Sequence, residues 1–241
     1  PFFTTSSSSS LNNDLNSCRD IIVFDFETGG RNPHKCQPTQ IAAIALDGRN
    51  FRLKGEFNSM MRPIIDDDEA IAAGVDPLEE GALKVTGQTR SKLARAPLPK
   101  GVWKKFCAFV NKYNWKGTPY FAPIPAGFNI IGYDMHIVNR LCKEYGPWDD
   151  KRQCQKLFHQ IYKIDVMDDV WLWTEGDPNV KSISMDALRE RMGLSSENAH
   201  DALQDVKDTA NLMIKFLRLQ RSLLKKIKFE KTFANGELYV K

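Results

Sequence analysis

Asp25 and Glu27 are the first residues in the chain whose types and spacing suggest chemistry. They lie in the run IIVFDFETGG, residues 21–30, whose β-branched and aromatic residues predict a strand buried on both faces. Side chains two residues apart on a strand point to the same face, so the two carboxylates project together. A divalent cation such as Mg²⁺ or Mn²⁺ would relieve the repulsion between them. The alternative is that the strand simply ends here and both acids are solvated.

Asp134 is the second candidate, in the segment GFNIIGYDMHIV. We predict a helix from about Ile130 to Tyr145, on which Asp134 lies in line with Ile137, Val138 and Leu141. A carboxylate on an apolar stripe is expected to be buried, which is costly unless it is paired or close to a metal. The alternative is an acid at the rim of the helix.

The segment NAHDALQDVKDTANLM supplies the third candidate acid and a histidine. On a helix predicted from about Ala199 into the 220s, Asp205 falls on an inward stripe with Ala202, Thr209, Leu212 and Phe216. His200 lies in the first turn and about 140° round the helix from Asp205. It would therefore flank the acids, as a general base must. The alternative for a single histidine near a helix start is a surface or capping residue.

Together, these three segments bring four carboxylates and one histidine to sheet-end or inward positions. Four carboxylates can hold two divalent ions roughly 3.5–4 Å apart, an arrangement that suits in-line attack on a phosphate. His200 would take the proton of the attacking water, because an imidazole has a pKa near working pH.

The elements that must position these residues predict an α/β fold. Strands predicted at 40–46 and 51–60 flank Asp47-Gly48, a hairpin signal that makes the first three strands antiparallel. Further strands are predicted at 120–128 and 163–166, and helices at 100–113, 130–145, 151–160, 184–192 and from 199 onward. This order indicates a mixed sheet flanked by helices.

Composition narrows the class of protein. Hydrophobic residues make up 42% of the 241, which is enough for a core, and no apolar run is long enough to cross a membrane. The five cysteines are scattered and never spaced as CxxC, which argues against a disulfide framework and favours the reducing cytoplasm. The net charge of +4 is too small to identify a nucleic-acid binder.

Three regions are expected along the chain. Residues 1–18 form a Ser-rich, disordered leader, 19–222 the functional domain and 223–241 a basic C-terminal arm. The basic stretch from Lys215 to Lys231 either attracts phosphate or is a solvated helix end. The tryptophans are expected in the core and not as platforms for bases, namely Trp103, Trp115, Trp148, Trp171 and Trp173.

At the blocks FDFETGG, AGFNIIGYD and NAHDALQDV the chain resembles the DEDDh-type 3′→5′ exonucleases of the RNase H-like (DnaQ-like) superfamily. The resemblance covers about residues 20–219 and is greatest to the nuclease domain of bacterial exonuclease I, through PTQIAAIALDG, ALKVTGQT and SENAHDALQDVKDT. It implies an RNase H-like fold and a phosphodiester hydrolase.

The resemblance also implies roles for individual residues. Asp25, Glu27 and Asp205 would bind the first metal, Asp25 would also contact the second, and Asp134 would complete the set. His200 corresponds to the general base. The contacts to the terminal nucleotide are implied to come from Thr28, Gly29, Thr86, Gly87 and Asn129.

The expected activity is therefore removal of 5′-mononucleotides from the 3′ end of single-stranded DNA, with two Mg²⁺ or Mn²⁺ ions. Several alternatives stay open. They are a 3′→5′ exoribonuclease of the oligoribonuclease or tRNA-end trimming type, a proofreading subunit of a polymerase, and an inactive nucleic-acid-binding module. A replication or repair protein is a candidate partner, and no membrane association is expected.

Overall fold

A five-stranded mixed sheet forms the centre of the computed structural model, which describes residues 19–193 and 202–226. The strands are β1 (Ile21–Thr28), β2 (Pro38–Leu46), β3 (Leu53–Met60), β4 (Ile124–Gly127) and β7 (Ile164–Asp165), in the order β3-β2-β1-β4-β7. The first three strands are antiparallel, whereas β4 and β7 continue the sheet in parallel. The predicted mixed sheet with an antiparallel start is confirmed.

Helices surround this sheet. They are α1 (Asp67–Ala72), α2 (Glu80–Val85), α3 (Arg90–Ala94), α4 (Pro99–Asn111), α5 (Asp134–Tyr145), α6 (Val166–Thr174), α7 (Met185–Met192) and α8 (Ala202–Lys226). A separate ribbon pairs β5 (Trp148–Asp149) with β6 (Cys154–Gln155). Ser184 caps α7, because its hydroxyl accepts from the Ala187 amide at 3.3 Å.

The hairpin between β2 and β3 follows from its turn sequence. The Asp47 carboxylate accepts from the amides of Arg49 and Asn50, at 2.9 and 3.1 Å, and this Asx-type turn closes the connection. The turn lies at the end of the sheet where β1 begins, since Leu46 pairs with Ile21. The carboxyl end of β1 is therefore at the opposite end of the sheet.

The two faces of the sheet carry different helices. On one face Ile22, Phe24 and Phe26 pack against α4 and α5, in what we call the α4–α5 layer. On the other face Ile21 and Val23 pack against α6, α7 and α8, the α6–α8 layer. Since β1 side chains alternate, Asp25 and Glu27 belong to the face covered by the α6–α8 layer.

The prediction of a helix at 151–160 is wrong. The Gln155 side-chain oxygen accepts from the amides of Leu157 and Phe158, at 2.6 and 2.7 Å, so these donors are bound locally instead of along a helix. Likewise α5 begins at Asp134 and not near residue 130, because Tyr133, the residue before it, has a φ of −132° and a ψ of −75°, outside the helical region.

The expectation for the tryptophans is correct only in part. Trp103 is fully buried and Trp148 half-buried, but Trp115, Trp171 and Trp173 expose 68%, 55% and 65% of their surface. The apolar residues around Trp171 and Trp173 therefore do not bury these two rings within the part of the chain that the structure describes.

Helix α8 runs without interruption through residue 222, where we predicted the domain to end, to Lys226. The predicted leader, residues 1–18, lies outside the described residues, as does the arm from residue 227 onward. Of the helices that the structure describes, none has the length and apolarity that a bilayer-spanning segment requires.

Candidate active site

The carboxyl end of β1 presents Asp25 and Glu27 on one face of the central sheet, as predicted. β1 is hydrogen-bonded to β2 along its whole length and to β4 over Ile21–Val23. Burial raises the pKa of Asp25 well above its ordinary value, and the charges of Asp134, Glu27 and Asp205 raise it further. The four carboxylates that the sequence singled out are therefore close enough to repel one another.

Asp134 reaches this cluster from the first turn of α5. It is 2% exposed, and its Oδ1 accepts a hydrogen bond from the Phe26 amide at 3.0 Å. Burial raises its pKa to about 8; the amide of Phe26 opposes that shift, while Asp165 and Glu27 add to it. Of the two positions considered for this acid, the buried one is confirmed.

Asp205 lies in the first turn of α8, in the α6–α8 layer. As predicted, Ala202, Thr209 and Leu212 on the same stripe are buried. Its Oδ1 accepts from Arg189 Nη2 at 2.6 Å. Neither the arginine nor this contact was anticipated, because the two residues are on different helices.

These residues fit a divalent-metal site by their chemistry. The donors are all carboxylate oxygens, which Mg²⁺ and Mn²⁺ prefer. The raised pKa of Asp25 reflects its burial first and then the negative charge of the neighbouring acids, which a cation would neutralise. In residues 19–193 and 202–226 no three acidic, histidine or cysteine side chains are close enough to ligate one ion as placed.

His200, the predicted general base, lies outside the described residues, and its role remains a prediction. It is followed two residues later by the buried Ala202, where α8 begins.

Thr28 and Gly29 continue directly from the acidic end of β1. The Thr28 hydroxyl contacts the Tyr133 hydroxyl at 2.7 Å and donates to the Gly30 carbonyl at 2.8 Å. A Cβ on Gly29 would lie 2.2 Å from Leu78 Cδ2, so any larger residue here would require the Leu78 side chain to move. The backbone here is held close to the segment that precedes α2.

Thr86 and Gly87 form the end of α2. Thr86 is the C-cap and its hydroxyl donates back to the carbonyls of Ala82 and Leu83, while Gly87 ends the helix with a φ of +63°. The next residue, Gln88, donates to the Gln40 side chain at 3.1 Å. Because Gln40 pairs with Glu27 across the sheet, this segment lies beside the acidic cluster.

Asn129 occupies the turn between β4 and α5, and Asp165 determines the shape of that turn. The Asp165 carboxylate accepts from the amides of Asn129 and Ile131, at 2.9 and 3.0 Å, and it also caps α6 through the Met167 amide. Sequence reasoning treated Asp165 only as part of a strand. An acid between a short strand and a helix is an N-cap signal that could have identified the cap, but not the two long-range contacts.

Tyr133 is a second residue that the sequence did not single out. Its hydroxyl donates to the Gly30 carbonyl at 2.7 Å and lies 3.5 Å from Cys36 Sγ, so it connects the start of α5 to the loop after β1. Burial raises the pKa of this phenol further above neutrality, and it therefore stays protonated. Tyr133 stabilises the backbone around Thr28.

The basic stretch on α8 lies away from the acids where it is described. Arg221 donates to the carbonyls of Gly48 and Arg49, at 2.7 and 2.6 Å, and its guanidinium stacks 4.2 Å from the centre of the Phe51 ring. These contacts are at the β2–β3 turn, at the opposite end of the sheet from Asp25. Arg221 thus anchors α8 to the sheet.

Comparison with known proteins identifies the family of the chain. A family model described as RNase_T, exonuclease, matches residues 22–213. Among curated proteins, the chain is 23% identical over 209 residues to a PolC-type DNA polymerase III from Caldanaerobacter subterraneus subsp. tengcongensis. The match covers 86% of this chain and 12% of that polymerase.

Solved structures of exonuclease I share the fold. The E. coli enzyme in complex with a dT13 oligonucleotide aligns with a TM-score of 0.64 at 18% identity, over 86% of this chain and 43% of that one. Exonuclease I from Methylocaldum szegediense aligns with a TM-score of 0.62 at 21% identity, over 90% and 43%. The chain thus spans less than half the length of these proteins, and the predicted RNase H-like fold is confirmed.

Proposed function

Since the chain belongs to the RNase_T exonuclease family, we propose that it is a metal-dependent 3′→5′ exonuclease acting on single-stranded DNA. It would hydrolyse the terminal phosphodiester bond and release 5′-mononucleotides. The observation that carries the proposal is the convergence of four carboxylates, those of Asp25, Glu27, Asp134 and Asp205. The pKa of Asp25 is raised by its burial and by the charges of the other three acids. A fold has little reason to concentrate acids in this way unless a cation binds them.

The four acids would hold two divalent cations, Mg²⁺ or Mn²⁺. When bound, such ions supply Lewis-acid stabilisation of the charge on the scissile phosphate and on the departing 3′-oxygen. His200 would act as the general base and accept the proton of the attacking water. Asp134 would keep its orientation through the Phe26 amide, and the protonated Tyr133 would keep the backbone at Thr28 in place.

The 3′-terminal nucleotide would bind between the end of β1 and the turns beside it. Thr28 and Gly29 would contact its 3′ end, Asn129 would flank it, and Thr86 and Gly87 would meet its sugar or base. The tight packing of Gly29 on Leu78 and the contact of Gln88 with Gln40 bring these segments to the same end of the sheet. A single-stranded end fits such a site because its last base is not paired.

DNA is favoured over RNA by one structural relative, E. coli exonuclease I, which was solved in complex with a dT13 oligonucleotide. An exoribonuclease of the oligoribonuclease or tRNA-end trimming type remains the alternative within the same chemistry. A proofreading role, with a replication or repair protein as partner, is favoured by the similarity to a PolC-type polymerase. The described cysteines are all free, which fits a cytoplasmic location.

Digestion of labelled oligonucleotides tests the proposal. Single-stranded DNA, duplex DNA and RNA of one sequence, labelled at the 3′ or the 5′ end, are incubated with Mg²⁺ or with chelator. We expect stepwise shortening of 5′-labelled single-stranded DNA and release of mononucleotide from the 3′ label, with Mg²⁺ only. Asp25→Asn is the matched inactive control.

Other results of this digestion would favour one of the alternative functions. Faster digestion of RNA would replace the DNA substrate by the exoribonuclease alternative. Binding without metal-dependent cleavage of any polymer would favour an inactive binding module. Co-elution with a candidate polymerase on gel filtration would support the proofreading role, and separate elution would count against it.

A further inference from the structure

Arg189, on α7, is surrounded by three carboxylates. It is 3% exposed, and its guanidinium donates to Asp208 Oδ2 through Nε at 2.9 Å, to Asp186 Oδ1 through Nη1 at 3.2 Å and to Asp205 Oδ1 through Nη2 at 2.6 Å. The shortest of these contacts is the one to the proposed metal ligand. A buried cation needs such partners, and the fork of a guanidinium can serve several at once.

The three carboxylates around Arg189 differ in their burial and in their other contacts. Asp208 is buried, and its other oxygen accepts from Gln204 at 2.8 Å, so it is a fixed anchor for the guanidinium. Asp186 lies on α7 itself, three residues before Arg189, and is largely exposed. Asp205 is the one that also faces the acidic cluster, since its charge acts on Asp25. It therefore lies between Arg189 on one side and the proposed metal ligands on the other.

We infer that Arg189 is a positioning residue that acts through Asp205. When no metal is bound, Arg189 neutralises the Asp205 carboxylate. When a divalent cation is present, Arg189 competes with it for that carboxylate. The inference rests on the proposed function, because it takes Asp205 as a metal ligand. A cation that binds Asp205 must share this carboxylate with Arg189 or displace its Nη2. The contact to Asp208 would keep Arg189, and with it α7, in place when that happens.

The sign of the expected effect separates this role from a structural one. If Arg189 competes with the cation, its removal strengthens metal binding; if it only holds Asp205 in a productive orientation, its removal weakens it. Loss of a positive charge in direct contact with a ligand is expected to tighten binding by about tenfold, given the strength of charge interactions at such distances.

A titration with Mn²⁺ alone, followed by the electron paramagnetic resonance signal of the free ion, measures the affinity of the full chain without nucleic acid. We expect Arg189→Gln to bind Mn²⁺ about tenfold more tightly than the wild type. Arg191→Gln is the matched control, because it removes the same charge from the same helix. Arg191 pairs with Asp177 at 2.9 Å, so its loss should change the affinity less than about twofold.

Near-UV circular dichroism and thermal melting establish that each variant is folded. If Arg189→Gln fails to fold, Arg189→Lys replaces it. A lysine keeps the charge but has one nitrogen instead of three, so it cannot reproduce the separate contacts of Nε, Nη1 and Nη2 to Asp208, Asp186 and Asp205. We expect Arg189→Lys to bind Mn²⁺ more tightly than the wild type, by a smaller factor than a neutral side chain would produce.

Unchanged or weaker binding by a folded Arg189 variant would overturn the inference. Equal tightening in Arg189→Gln and Arg191→Gln would overturn it too, because the effect would then be one of long-range charge. Asp25→Asn separates this failure from that of the proposed function. If the wild type binds Mn²⁺ no better than Asp25→Asn does, the proposed metal site itself is wrong. If the wild type binds Mn²⁺ better than Asp25→Asn, but Arg189→Gln has the same affinity as the wild type, only the inference about Arg189 fails.

Discussion

The two helical layers bring one carboxylate each to the end of β1, and they hold it by different means. In the α4–α5 layer Asp134 is buried, accepts the Phe26 amide and has a pKa raised to about 8. In the α6–α8 layer Asp205 is only partly buried and is paired with Arg189 at 2.6 Å. One acid is accommodated by a proton, and the other by a permanent cation.

If the acids bind a metal as proposed, this difference would let the fold assemble them and still be stable without the ion. Buried carboxylates without compensation are costly, so each needs a neutralising partner until a divalent ion arrives. A proton leaves Asp134 readily once a stronger cation binds. An arginine stays close by and keeps competing. The two layers should therefore respond differently when each acid is altered.

Cleavage should be most sensitive to the acids themselves, in both layers alike. We expect Asp134→Asn and Asp205→Asn, like Asp25→Asn, to lower turnover by more than about 10³-fold, since even a residue that only supports a metal ligand is worth roughly 10–100-fold. Turnover of 5′-labelled single-stranded DNA in Mg²⁺ is the measurement. If one helix-borne acid proved dispensable, the two layers would not contribute equally to the site.

His200 should have the next largest effect. We expect His200→Ala to lose about 10²- to 10⁴-fold in turnover, the usual range for a general base, while Mn²⁺ affinity stays close to that of the wild type. A pH–rate profile from pH 6 to 9, with Mn²⁺ titration alongside, tests this. Full activity of the variant across that range would exclude the assigned role.

The protonation of Asp134 predicts a pH dependence of the metal-free protein. Its pKa is raised to about 8 in the folded chain, by burial and by Asp165 and Glu27, against about 4 for an unfolded chain. Between these values the folded state binds more protons, so the free energy of unfolding falls as pH rises from about 4 to about 8 and then levels off. Asp25, with its pKa raised by burial, Asp134, Glu27 and Asp205, adds to the same trend.

Urea unfolding in chelator at pH 5, 7 and 9 measures this dependence. For the wild type in chelator, we expect the free energy of unfolding to fall by a few kcal/mol between pH 5 and 9. The fall should be smaller in Asp134→Asn, and smaller in the wild type when Mg²⁺ replaces the chelator. Stability that rises with pH over this range in chelator would contradict a protonated Asp134.

The smallest expected effect concerns Asp205 in the absence of metal. Asp205→Asn should lower the free energy of unfolding by about 1–3 kcal/mol, because buried Arg189 loses one of its three carboxylate partners. Asp134→Asn should instead raise it at pH 9, because a buried acid is then no longer forced to ionise. Chelator-treated samples at pH 9 compare the two. Equal destabilisation by both variants would remove the contrast between the layers.

Local sequence patterns determined which residues could form the site. Alternation along β1 places Asp25 and Glu27 on one face, and helical spacing places Asp134 and Asp205 on inward stripes. Those inferences needed only the period of a strand or a helix. Helix α4 and the β2–β3 hairpin were equally local and were predicted correctly.

Only the tertiary structure decided what these side chains contact. Asp134 and the Phe26 amide are 108 residues apart, and Arg189 reaches Asp205 from another helix. The helix expected at 151–160 is absent because one glutamine side chain takes two amides there, and three tryptophans expected in the core are exposed. Periodicity determines the direction of a side chain, whereas the partner that it meets depends on how distant elements pack.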